Sequence, residues 1–401
     1  METRSAALPE EWEFEGAISS LTAQTVHKWE TSPAVFPTNM PTYGRSEKGA
    51  NEKRILRVLD DQDKRRDLQT LFRNPGGITG STLRRLAITD LFVLPDPGNS
   101  PALPSGQFAD ATADFVRRAR MFDPDIPSDQ LAQALRNLWV FCSFQYLADL
   151  PIAVTPSAVA YSLLYPYTDN FLDDREVNAD QKKRFGARIG TELQSPGQEP
   201  EDAREAAVFA LIGMIAEEFP RTAYPLIHKS LQAIHAAQCC SIGQQGSAAR
   251  ADVLRTSMMK GGTSVLVDAL IAGSVRDWAW LDMAFEYGCV LQLVDDLQDA
   301  KKDTELKHRT IFATESYPQP LESESLHLLK FLYDLIPSWE LPTKRDRPSF
   351  TTLMAGSCSF LIFEAVARAR PLFSTSFLRR ADTHAPVSLE FLAGLRERAQ
   401  H

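Results

Sequence analysis

The stretch Gly288-Cys289-Val290-Leu291-Gln292-Leu293-Val294-Asp295-Asp296-Leu297-Gln298-Asp299 decides how this chain is read. Its first turns are apolar and its last two are acidic, as in a helix that leaves a core and ends on carboxylates. Asp295, Asp299 and Asp303 fall at i, i+4 and i+8. They form one ridge about 12 Å long at the helical rise of ~1.5 Å per residue. Like charges at that spacing repel, and a fold gains nothing from stacking them. A hard cation with oxygen ligands removes the repulsion. Mg²⁺ is the natural guest, because it binds through a few carboxylates together with substrate phosphates. A solvated helix end, with Lys301 and Lys302 as partners, is the plainer alternative.

A second acidic cluster lies upstream: Tyr167-Thr168-Asp169-Asn170-Phe171-Leu172-Asp173-Asp174. Asp169 and Asp173 share a helix face and Asp174 flanks it. The residues leading in are apolar and aromatic: Tyr161, Leu163, Leu164 and Tyr165. Pro166 should kink this helix and free a carbonyl. Alone, the cluster also reads as a helix end in solvent, with Arg175 pairing locally. Two acidic faces turned toward each other would make a site for Mg²⁺ and a polyphosphate.

Between the clusters comes Met259-Lys260-Gly261-Gly262-Thr263-Ser264. The glycines allow close backbone approach, and Lys260 offers a point charge to a phosphate. The order of residues is not that of a P-loop. A helix with a glycine break near the site is expected, or else a loop between two helices. Ser264 and Asp268 follow Lys260 at i+4 and i+8. Downstream, Lys307-His308-Arg309-Thr310 supplies Arg309 as a lid residue for a diphosphate, while His308 reads as a surface histidine. Phe144, Tyr146, Tyr161, Tyr165 and Phe171 are candidates to line an apolar pocket, where aromatic faces also stabilise cations.

Composition agrees with a globular chain of 401 residues, 44% apolar and 24% charged. The formal charge of −9, without a basic stripe, argues against a nucleic-acid partner. The five cysteines, Cys142, Cys239, Cys240, Cys289 and Cys358, contain no C-x-x-C pair and read as reduced core residues of a cytoplasmic protein. The N-terminus has no apolar core of a signal peptide. Leu150 to Thr168 lacks charge over nearly a membrane span, but Pro151, Pro156 and Pro166 interrupt it, so a buried kinked helix is expected and no transmembrane segment. A homodimer is one assembly that this composition allows.

Residues 1–50 are rich in Pro, Ser and Thr with little periodicity, an extension draped over the domain or partly loose. An amphipathic run opens at Ile55 and ends near Phe72, and Leu94 to Gly106, with four prolines, reads as a loop. Helices are expected over 107–121, 128–149, 156–175, 179–193, 201–218, 222–245, 250–273, 276–302, 322–335, 350–370 and 387–399. No sustained period-2 alternation suggests strands. The expectation is a single large all-α domain over residues 51–401.

These residues resemble the class I isoprenoid synthases. Leu291-Gln292-Leu293-Val294-Asp295-Asp296-Leu297-Gln298-Asp299 is similar to the F-Q-x-x-D-D-x-x-D of prenyl diphosphate synthases. Asp295, Asp299 and Asp303 also fall at the spacing of the N-x-x-x-S-x-x-x-E triad of terpene synthases. Tyr167-x-Asp169-Asn170-x-x-Asp173 resembles the Y-L-D-N-x-x-D of bacterial large terpene synthases of the tetraprenyl-curcumene synthase type. The likeness covers about residues 110 to 312. It implies a helical domain of the isoprenoid synthase type and Mg²⁺-dependent ionisation of a linear prenyl diphosphate, followed by cyclisation or deprotonation to a terpene. It implies three Mg²⁺, or Mn²⁺, on Asp169, Asp173, Asp174, Asp295, Asp296, Asp299 and Asp303. It also implies substrate contacts from Lys260, Arg309, Gln292, Tyr165 and Phe144. The G-G-K-R stretch and the Arg-Arg pair of chain-elongating synthases are missing, which weakens condensation with isopentenyl diphosphate. A prenyltransferase joining two isoprenoid units, a non-catalytic helical protein that binds prenyl diphosphate, and a structural helical protein with solvated acidic faces are the alternatives.

Overall fold

Apolar residues recurring at three- and four-residue spacing produce helices throughout the described residues, and among these there is no strand. The computed structural model describes residues 8–10, 13–60, 105–174, 176–243, 249–306, 308–313, 319–340 and 347–395. In chain order the helices are α1 (Phe14–Thr31), α2 (Arg45–Asp60), α3 (Ser105–Phe122), α4 (Ser128–Leu147), α5 (Pro156–Asp173), α6 (Ala179–Gln194) and α7 (Ala203–Glu218). They continue with α8 (Pro225–Gly243), α9 (Arg250–Ile271), α10 (Trp278–Leu306), α11 (Gln319–Ser338), α12 (Arg347–Arg368), α13 (Thr375–His384) and α14 (Leu389–Ala393). The protein is all-α.

Side-chain caps fix several starts. Thr155 accepts from the Ala158 amide at 3.1 Å, with Pro156 as the first helical residue, and so opens α5. Asn178 and Gln181 form a reciprocal capping box at α6. Helix α4 stops two residues short of expectation. Asp149 takes a left-handed backbone (φ 59°), and the Leu150 amide turns back onto the Gln145 carbonyl at 2.9 Å. Helix α5 runs on through Pro166, and α10 extends four residues beyond its expected end. Helix α13 was not expected at all; its Arg, Thr and His residues hide a short amphipathic turn capped by Ser374. The loop expected before Gly106 and the end of the run expected to reach Phe72 fall outside the described residues, except that Ser105 and Gly106 already belong to α3.

The N-terminal stretch departs most from its reading. Residues 14–31 are a helix that buries Phe14, Ile18, Leu21 and Trp29 against α9, α10 and α11. Its pattern is masked because Thr22 and Thr25 are core residues too. Each hydroxyl donates to a carbonyl one turn back, from Thr22 to Ile18 at 2.7 Å and from Thr25 to Leu21 at 2.8 Å, so both can be buried at little cost. Lys28 pairs with buried Glu286 of α10, whose other oxygen accepts from Trp339 Nε1 at 2.9 Å. All five cysteines are free thiols. Cys142, Cys289 and Cys358 are in the core as expected, but Cys239 and Cys240 are exposed on α8.

Among the described residues only Phe350–Arg368 is long and apolar enough to cross a membrane, and 61% of its most apolar window is buried in the protein. The uncharged stretch from Leu150 forms α5, whose Ala158, Val159, Ala160 and Leu163 are core.

Helices α9 and α10 form the most extensive helix pair. Gly261 and Gly262 sit inside an unbroken α9, where a glycine break was expected. They are there for proximity. A Cβ on Gly261 would overlap the Gly288 carbonyl of α10, and one on Gly288 would overlap the Gly261 carbonyl. A Cβ on Gly262 would stand 2.5 Å from the Phe285 ring. Backbone meets backbone at this crossing, so Gly288→Ala should force the helices apart. We expect a loss of about 1–3 kcal/mol in urea unfolding. An unchanged midpoint would show that the helices cross with room to spare.

Candidate functional site

The acidic end of α10 borders a cavity of about 440 Å³ lined by α3, α4, α5, α9, α10 and α12. That is the size of a small-molecule site. Val140, Val265, Leu291, Leu353 and Met354 make its walls largely apolar. Gly261 and Gly288 lie in the wall as well, so the close helix crossing also sets the shape of the chamber.

Asp295 faces this cavity. Burial pushes its carboxyl up to about 6 against the pull of Arg136, and the neighbouring Asp299 and Asp296 push it the same way. Asp299 lies one turn on, half-exposed, with Lys302 Nζ at 3.5 Å. Asp303 is half-buried a further turn along, and its carbonyl accepts from the His308 amide at 2.9 Å. Asp296 turns the other way. Its oxygens accept from Ser257 Oγ and Gln292 Nε2, each at 2.8 Å, and it is 6% exposed. It therefore ties α10 to α9 and is not on the ridge with Asp295, contrary to its expected place among the metal ligands.

On α5, Asp169 is 8% exposed, with Lys260 Nζ at 3.5 Å and Gln238 Nε2 at 3.4 Å from Oδ1. Tyr165, one turn before it, feels the charges of Asp169 and Asp295 together, which with burial raise its phenol well above the ordinary range. Tyr165 lines the cavity beside Asp295. The two acidic clusters are thus brought to one place, with Tyr165 and Lys260 between them. Lys260 interacts electrostatically with Asp169, Asp295 and Asp296. Asp173 ends α5, and its side chain lies outside the described residues. Asp174, expected among the metal ligands, is exposed beyond the helix and accepts from the Glu176 amide at 2.9 Å.

The expected substrate contacts divide. Tyr165 and Gln292 line the cavity, although Gln292 donates its amide to Asp296. Phe144 does not line it: Phe144 is 1% exposed in the core, because the cavity takes the adjacent Ser143, one residue around the helix. Tyr146 packs on Phe350 at 4.9 Å between ring centres, and Phe171 packs on Phe185 at 4.5 Å with the Arg204 guanidinium over it. Tyr161 lines a second cavity of about 50 Å³ behind the first. Arg309 is half-buried but off the cavity wall. His308 is half-buried too, and burial and the Lys260 charge lower its pKa. It belongs to the surroundings of the acidic clusters and not to the outer surface expected for it.

Gln133, Arg136, Asn137 and Val140 of α4 went unread in the sequence, and all line the cavity. They fall at i, i+3, i+4 and i+7, the signature of one helix face. A polar stripe of that kind ordinarily faces solvent, and the sequence holds no sign that this one faces a chamber. Arg136 adds a cation beside Asp295, opposing the burial cost of that carboxylate.

Among the described residues no three or more His, Cys, Asp or Glu side chains converge as a metal cage. Asp295, Asp299 and Asp169 offer a sparser donor set. It suits an ion held through one or two carboxylates and completed by phosphate oxygens. The raised carboxyl of Asp295 fits a group that gains from a cation.

Because folding raises the Asp295 pKa, the native state holds a proton that the unfolded chain releases first. Stability therefore falls as pH rises from about 4 to about 6, and the full penalty remains above that window. Without divalent cations, Asp295→Asn should be more stable than the parent at pH 7 by on the order of 1–2 kcal/mol and should match it below about pH 4. Urea unfolding at both pH values checks this, and a gain equal at the two would overturn the assigned cause.

No protein-family model, no curated protein and no solved structure matches this chain, so the site is read from its own residues.

Proposed function

We propose that this protein is a class I isoprenoid synthase of the terpene-forming kind, with the corresponding helical fold. On this reading it ionises a linear prenyl diphosphate in a Mg²⁺-dependent step and converts the chain to a cyclised or deprotonated terpene. One observation carries the proposal: two acid-bearing helices meet at Tyr165, at the edge of an apolar chamber of about 440 Å³. A solvated acidic face would need neither a chamber nor a half-buried lysine between its carboxylates.

Asp295 and Asp299 on one wall and Asp169 on the other would hold the metal, and Asp173 is proposed with them. Bound Mg²⁺ would supply the positive charge that stabilises the departing diphosphate. Lys260, drawn from Asp169 toward phosphate oxygens, would bind the leaving group, and Arg136 would meet it from α4. The apolar walls would exclude the water that would otherwise capture the cation. Tyr165 would meet the chain from the cavity wall beside Asp295. Asp296 would act only by fixing α10 against α9.

The test is incubation with a panel of linear prenyl diphosphates and Mg²⁺, with released diphosphate and extracted hydrocarbons or alcohols measured. Turnover of a single substrate to a terpene is expected. Asp169→Ala, Asp173→Ala and Asp295→Ala should each lower it by about 10²-fold or more while the helical spectrum is kept. Asp174→Ala should leave it unchanged. A product that requires two substrates would replace this reading with condensation, and tight binding without diphosphate release would reduce the protein to a carrier.

A further inference from the structure

Asp268 lies on α9, two turns past Lys260, and is fully buried. One of its oxygens accepts from Asn137 Nδ2 at 2.9 Å, and the other has no hydrogen-bond partner among the described residues. Burial raises its carboxyl well above the ordinary range, and Cys142 and Tyr161 are its other titratable neighbours. For stability alone, an apolar residue of similar size would serve better than an acid with half its polar atoms unpartnered. What the acid does have is Asn137.

Asn137 occupies a particular place. It, Tyr165 and Ser264 are the three residues that line both the 440 Å³ cavity and the 50 Å³ cavity behind it. Its amide nitrogen is committed away from both: Nδ2 reaches Asp268 at 2.9 Å and Ser162 Oγ at 3.2 Å. An amide nitrogen carries two hydrogens, and both are engaged by these partners. The atom left to the chamber is the side-chain carbonyl oxygen, which accepts and carries negative partial charge.

We propose that Asp268 is a positioning residue that locks the Asn137 amide, so that the Asn137 carbonyl oxygen stabilises positive charge on an apolar ligand where the two cavities meet. The inference rests on the reading of the chamber as the place where a carbocation is handled. A fixed carbonyl dipole attracts a cation more strongly in such surroundings than in water, and it costs no reorganisation once locked. Asn137 is a hydrogen-bond acceptor that cannot be alkylated as readily as a carboxylate, and it stands on a different helix from the acidic ridges. It would therefore meet charge on the chain after the leaving group has gone.

Two chain-matched probes test the idea without Mg²⁺ or diphosphate: a tertiary alkylammonium with its nitrogen inside the chain, and its uncharged carbon analogue. Calorimetry on the full chain gives the preference for the charged probe. Asn137→Leu should reduce that preference by about tenfold while leaving affinity for the neutral probe unchanged. Asp268→Leu should reduce it similarly, with a midpoint of unfolding equal to or above that of the parent. Asp268→Asn, whose carbonyl can still accept from Asn137, should keep it. Retained preference in Asn137→Leu, or in a folded Asp268→Leu, overturns the proposal. Should Asp268→Leu fail to fold, Asn137→Leu and Asp268→Asn decide. Diphosphate release is scored separately. Turnover with a preference indifferent to Asn137 removes this inference alone, whereas a preference that depends on Asn137 without turnover removes the enzymatic reading and leaves the residue pair as a feature of binding.

Discussion

The contact of α9 with α10 at Gly261, Gly262 and Gly288 is the constraint on which the rest of this molecule depends. Helix backbones touch there without intervening side chains. That closeness places Lys260 of α9 within electrostatic reach of Asp295 and Asp296 of α10. It lets Ser257 reach across to Asp296 at 2.8 Å, and it leaves the glycine surfaces as part of the cavity wall. Larger residues at these positions would widen the crossing, draw the lysine away from the acids and fill the chamber. Helix pairs ordinarily stand ~8–10 Å apart, the separation depending on the side chains at the contact.

Electrostatic balance follows from that geometry. Carboxylates stacked on a helix repel, and burial raises the cost further. The fold meets this cost unevenly. Each Asp296 oxygen accepts one hydrogen bond, from Ser257 or Gln292, although burial still raises its carboxyl. Asp169 has Lys260 and Gln238. Asp295 has the field of Arg136 and Lys260 against its burial and its acidic neighbours, and its carboxyl remains raised. Strained titration of this kind at the wall of an apolar chamber marks a functional site more often than a stabilising one. Asp268 repeats the pattern deeper in the protein, with the Asn137 amide as its one hydrogen-bond partner among the described residues.

Much of the architecture was legible in the residues. The positions of α3 to α12 follow from apolar periodicity, and most ends fall within a few residues of expectation. Helix α1 escaped because Thr22 and Thr25 hide in the core by bonding to their own backbone. Helix α13 escaped because its apolar face is narrow. The glycine pair was read correctly as a point of close approach, but a break in the helix was expected where an unbroken helix meets a third glycine.

By itself, the sequence determined what depends on neighbours along the chain: helical class, the acidic ridges and their spacing, and the lysine set one turn from Ser264. These follow from the 3.6-residue repeat, which any stretch of chain obeys without knowledge of the rest. Tertiary structure decided which face of each helix looks inward. Asp296 and Asp295 are adjacent in sequence, yet about 100° of helical rotation sends one to Ser257 and the other to the cavity. The same rotation gives the chamber Ser143 and not Phe144. It also turns Gln133, Arg136 and Asn137, a stripe that reads as a solvent face, toward the chamber. Periodicity records that a face exists; only the packing of the other helices fixes what that face meets.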